Sequence, residues 1–211
     1  RKMQRLSSFV VTEAKRLLPE EKLELSRQLL AALAGLHQHE AAHLDLDSHS
    51  IWLELPTTVK LSHLLTAQFP KVRSLGKDRY QFLSSSTLPE DILGGDQGPK
   101  RRDVFLIAVA IHLLLFGTRP SGDPPEWNAD IDEKGQYTHL HDWFSEALDL
   151  DPSKRFADAL LAQESFLRAT ATRPTPAEVT VGLERFRGRF RNQRQLSAAY
   201  QMIGEPIVET D

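Results

Sequence analysis

Apolar residues recur at helical spacing through most of the chain. In residues 6–17, Leu6, Phe9, Val10 and Leu17 fall on one side of a short amphipathic helix. Pro19 opens a stronger one, with Glu20 and Glu21 in the first turn, where the helix dipole favours anions. Leu23, Leu29, Leu30, Leu33 and Leu36 follow at helical spacing, and the pattern ends near His39 with Gly35 as its weak point. Ile51-Trp52-Leu53 and Val59-Lys60-Leu61 are short β-prone runs around Pro56-Thr57-Thr58, which predicts a small hairpin packed on helices, since two strands alone are marginal in water. The run 103–116 is apolar on every side and predicts a buried core helix. Gly117 stands where a helix ends in the left-handed conformation, and Pro120 follows. Two more helices are predicted near 139–148 and 155–168, a linker over 170–176 (TATRPTP), and a basic helix over about 177–200. The long irregular stretches are 70–102 and 118–138, and a connection as long as the first is usually functional or covers a surface.

Composition narrows what such a chain does. With 40% apolar and 26% charged residues it is a globular sequence, too apolar for a disordered tail. A net charge of -3 argues against a nucleic-acid footprint over the whole chain but leaves room for a local basic patch. The absence of cysteine excludes disulfides, cysteine-ligated zinc and thiol nucleophiles, and leans toward the cytoplasm. The apolar run at 104–116 is too short to span a bilayer. The chain enters a helical pattern almost at Arg1 and stops just after Glu205-Pro-Ile-Val, which suggests a piece of a larger multidomain protein.

Five short segments, in order, carry a resemblance, the first running into a strand. They are Ala42-His43-Leu44-Asp45-Leu46-Asp47-Ser48-His49-Ser50, followed by the β-prone Ile51-Trp52-Leu53; Lys60-Leu61-Ser62-His63-Leu64-Leu65; Leu88-Pro89-Glu90; Asp103-Val104-Phe105 opening the apolar helix; and Asp151-Pro152-Ser153-Lys154-Arg155-Phe156. Over residues 6–168 this resembles the C-terminal lobe of eukaryotic-like protein kinases. There the first segment reads His-Arg-Asp-Leu-Lys-Pro-x-Asn, the next Asp-Phe-Gly, the next Ala-Pro-Glu and the last Asp-Pro-x-x-Arg-Phe. The resemblance implies a mainly α fold: a kinase C-lobe with a small β-hairpin over 1–169, a linker over 170–176 and an Arg-rich helical extension over 177–211.

The resemblance also implies roles, residue by residue. His43 matches a structural histidine, Asp103 the residue that holds the catalytic-loop backbone, and Glu90 with Arg155 a buried ion pair. Asp45 matches the residue that orients the substrate hydroxyl, catalytic only if the protein is active. The two magnesium-binding positions are degenerate. Ser50 stands for the Asn and His63 for the Asp of Asp-Phe-Gly, and a hydroxyl or imidazole is a poor partner for a hard oxygen-seeking cation. Asp47 replaces the catalytic-loop Lys, reversing a charge where phosphate charge must be stabilised. Leu44 replaces the Arg that would pair with a phosphorylated activation loop. Scaffold residues kept and metal residues lost are the pattern of a pseudokinase: a non-catalytic regulatory or interaction module in a multidomain protein of bacterial type, with no cofactor and no metal, whose partners are other domains of the parent or a separate protein.

Other readings compete. The chain also reads as the C-lobe of an unusual serine/threonine kinase, with ATP and magnesium as cofactors. His37, His39, His43 and His49 with Asp45 and Asp47 include legitimate zinc ligands, but their spacing is not that of a metal helix, and His37 and His39 diverge by about 200° on a helix. Helix-end polar residues plus one core histidine is the preferred account. Asp45 with His43 or His63 as an acid–base pair lacks a visible nucleophile. The Ser84–Thr87 run reads as a solvated loop rather than a phosphosite. In 183–196, Arg185, Arg187, Arg189, Arg191 and Arg194 interleave with Phe186 and Phe190, four apart on one face. That stretch suits docking through the phenylalanines, or contact with nucleic-acid phosphates as part of a nucleic-acid-acting machine.

Overall fold

The computed structural model describes residues 3–55, 58–70, 88, 90 and 98–171. Arg1–Thr170 forms one compact unit. The 177–211 extension, most of the 170–176 linker and the Ser84–Thr87 run lie outside the described residues.

Helix α1 (Leu6–Thr12) buries Leu6, Phe9 and Val10. The predicted 6–17 helix is therefore shorter, and a 3-10 turn over Ala14–Arg16 completes the stretch. Helix α2 (Pro19–Gln38) starts as its sequence dictates. Pro19 takes the first helical position, and Glu21 Oε2 accepts the Leu18 N–H at 2.8 Å, satisfying a backbone group that the helix end leaves open. The helix runs straight through Gly35, since one glycine costs only about 1 kcal/mol against a buried leucine face. Helix α3 (Pro99–Phe116) starts four residues before the predicted Asp103. Pro99 at its first position and the buried Arg102 belong to it, although Arg102 is charged. It is buried along nearly its whole length and ends at Gly117, whose φ of 80° is left-handed. Helices α4 (His141–Ala147) and α5 (Ala159–Ala169) complete the core, and α2 packs against both α3 and α5. Asp158, not residue 155, caps α5, accepting the Leu161 N–H at 3.0 Å. Arg155 therefore lies outside the helix, just after a 3-10 turn over Pro152–Lys154.

The predicted hairpin is present as β2 (Ile51–Glu54) and β3 (Thr58–Leu61), paired Ile51 to Leu61 and Leu53 to Val59. A third antiparallel strand, β1 (Gln4–Arg5), joins β2. Ile51 and Leu53 point into the core, and the sheet leans on the helices as a small sheet must. Among the described residues no helix is long and apolar enough to cross a membrane.

Candidate functional site

The loop 42–50 and the segment 62–68 are tied at both ends: Ala42 and Gln68 exchange N–H···O bonds of 2.9 and 2.8 Å, and the Ser62 N–H reaches the Ser50 carbonyl at 2.9 Å. Asp103, fully buried on α3, organises the loop. Its Oδ2 accepts the His43 N–H at 2.6 Å and its Oδ1 accepts the Leu44 N–H at 2.6 Å. Oδ2 also meets His37 Nε2 at 3.0 Å. His37 Nδ1 accepts the Ala159 N–H at 2.9 Å, so the proton sits on Nε2 and is donated to Asp103. One buried imidazole therefore ties α2 to the loop and to the start of α5.

Leu44 has φ of 70°, a left-handed conformation costing a branched side chain roughly 1–3 kcal/mol. Its peptide is held on both sides, the N–H by Asp103 and the C=O by Arg102 Nε at 2.9 Å. Strain held this firmly in a loop marks a candidate functional position. Asp45 follows directly and is buried. His43 is fully buried, and its Nε2 donates to the Ser62 carbonyl at 2.8 Å.

Asp47 turns back on its own loop, its Oδ1 accepting the N–H of both His49 and Ser50 at 2.8 Å. Ser50 is buried. Its hydroxyl accepts the Asp47 N–H at 2.9 Å and donates to the Asp47 carbonyl at 3.1 Å. Across from it, Ser62 Oγ accepts from Trp52 Nε1 at 3.0 Å and donates to the Ser50 carbonyl at 3.0 Å. With its single proton used there, its 2.9 Å contact to His63 takes a proton from Nδ1. His63 is exposed and also left-handed, φ 63°.

Farther off, Arg155 and Glu90 form a two-pronged pair, Nη1 to Oε1 at 2.9 Å and Nη2 to Oε2 at 3.1 Å, with the arginine side chain fully buried. Of the four histidines in the His/Asp-rich stretch, His37 and His43 are both core residues, one more than expected, while His39 and His49 are exposed. Among the described residues no group of three or more His, Asp or Glu is placed to hold a metal ion. Arg185, Phe186, Arg187, Arg189, Phe190, Arg191 and Arg194 lie outside the described residues. Sequence reasoning missed His37, Ser62 and Arg102 as organisers of the loop. The signal for His37 was present: it stands four residues after Leu33, on the buried stripe of α2.

No family model matches the chain, and no curated protein does. Solved structures do. The PknI kinase domain of Mycobacterium tuberculosis, in a singly mutated form, superposes with a TM-score of 0.54 at 19% identity over 74% of this chain. Its doubly mutated form gives 0.59 at 17% identity over 81%. The fold is protein kinase-like. The chain spans 56% and 64% of the lengths of those two structures. Within this kinase-like fold, the loop 42–50 and the segment 62–68 lie side by side at the open end of the β2–β3 hairpin, and Asp103 on the buried helix α3 holds the loop backbone.

Proposed function

We propose that this kinase-like module is non-catalytic and serves as a regulatory or interaction unit. The observation that carries the reading is the hydroxyl of Ser50. Taken with the resemblance, Ser50 stands at a magnesium-binding position, yet it is buried and both accepts from and donates to the Asp47 backbone. The other metal position offers the imidazole of His63, with Nδ1 turned to Ser62. A magnesium ion demands near-octahedral oxygen ligands, and this donor set does not fit it. Asp47, where the family has a cation, brings a carboxylate that accepts two backbone N–H groups of its own loop. Phosphoryl transfer rests on positioning and charge neutralisation, so a site lacking both cation and metal ligands has little left to work with. Leu64 and Leu65, directly after His63, are 40% and 77% exposed, and adjacent exposed leucines suit a face that a partner covers.

Nucleotide titration of the whole protein, followed by thermal shift with and without magnesium, tests the reading. The expected outcome is no magnesium-dependent shift. Magnesium-dependent phosphoryl transfer that Asp45→Ala abolishes would overturn it in favour of an active serine/threonine kinase.

A further inference from the structure

Beyond that reading, a cavity of about 250 Å³ lies between the end of α3 and the loop 119–133. It is far larger than the ~10–15 Å³ that one water needs. Its lining is chemically one-sided. Glu126, Asp130 and Glu133 border it against the single cation Arg119, and all four side chains are exposed. Among the described residues none of these four side chains takes part in an ion pair or hydrogen bond, so the carboxylates are not neutralised from within.

His112 lines the cavity while only 2% exposed. Its Nδ1 donates to the Thr118 carbonyl at 2.7 Å, which leaves Nε2 as a bare acceptor. No described residue donates to Nε2, and the atom keeps contact with accessible space. Burial lowers the His112 pKa, which keeps that acceptor uncharged. The ring is fixed by Phe116, Phe144 and Trp127, with centroids 4.7, 5.8 and 5.9 Å away. A rigid, nearly buried acceptor in a cavity that unpaired carboxylates also line suits a cation with several N–H donors fanned in one plane.

We propose that this cavity binds a guanidinium group, with one N–H donated to His112 Nε2 and the others facing Glu126, Asp130 and Glu133. A planar fork of donors reaches acceptors on two sides at once, which a compact ammonium does not. The group comes either from a small free guanidine or from an arginine side chain of a bound peptide.

The test is titration with methylguanidine, with a blocked arginine tripeptide and with methylammonium, followed by the nitrogen NMR signal of His112 Nε2. Both guanidinium probes are expected to give saturable shifts, weakened roughly fivefold in the double variant Glu126→Gln/Glu133→Gln, whose surface positions leave the core intact. Tighter binding of the tripeptide assigns the arginine source; tighter binding of methylguanidine assigns the small molecule. Shifts that never saturate, that persist unchanged in the double variant, or that methylammonium matches, would each overturn the proposal. The cavity plays no part in the phosphoryl-transfer argument, so either proposal stands if the other fails.

Discussion

Arg155 concentrates more interaction than any other described side chain around the 3-10 turn at Pro152–Lys154. Its Nη atoms clasp Glu90, its Nε donates to the Asp149 carbonyl at 2.6 Å, and its guanidinium lies 4.5 Å from the centre of the Phe105 ring. Removing one partner of a buried pair leaves an uncompensated charge, at a cost of about 3–5 kcal/mol. Arg155→Ala is therefore expected to lower the melting temperature on the order of 10 °C in a unit of this size. Unchanged thermal unfolding would mean the pair contributes nothing. The half-exposed pair Arg27–Glu24 and the more exposed Lys100–Glu40 are worth far less, since solvent partly screens them. Glu90 and Arg155 were legible in the sequence because each sits in a short recognisable segment. The place of His37 on the buried stripe of α2 was legible, but its role was not, since that needs the distant Asp103 and the Ala159 N–H on either side of its ring.

At the scale of elements, α2 ends in a Schellman motif built without glycine. The Ala41 N–H reaches the Leu36 carbonyl at 3.2 Å and the Glu40 N–H reaches the His37 carbonyl at 3.1 Å, which forces Glu40 to a left-handed φ of 55°. Glycine adopts that conformation without strain, whereas alanine keeps the strain and loses only the exposed pair with Lys100. Glu40→Gly is expected to be more stable than Glu40→Ala by about 1 kcal/mol, read as the difference between their urea midpoints. Equal midpoints would show that the turn relaxes. The same element shows what local pattern conveys and what it does not. The helix start at Pro19 and the leucine face were readable because they depend on neighbours in sequence. The two-residue β1 was missed because its only reason to be a strand is β2, far along the chain. The early start of α3 was missed because Arg101 and Arg102 are not apolar. Arg102 is buried against the Leu44 carbonyl, and Arg101 Nη1 reaches the carbonyls of Pro152, Ser153 and Arg155.

Over the whole unit, the kinase-like architecture was legible because its marker segments recur in order. The state of the candidate site was only half legible. The resemblance implies degenerate metal positions at Ser50 and His63, whereas the closed hydrogen bonding of the Ser50 hydroxyl depends on the fold of the loop. One group links local environment to global stability. Tyr137 is buried next to α4, and burial first, then the charges of Asp132 and Glu20, push its phenol up to about 12. The unfolded phenol ionises near its ordinary value of 10. Between pH 10 and 12 the unfolded chain gives up a proton that the folded one keeps, so unfolding gains ground. The stabilisation is complete below pH 10 and is lost progressively as pH rises toward 12. Tyr137→Phe removes that group from both states, so its stability relative to the parent is expected to improve steadily from pH 10 to pH 12 while their difference stays constant below pH 10. Denaturant unfolding of both proteins across that range measures it. A constant difference up to pH 12 would mean that the phenol titrates alike in both states.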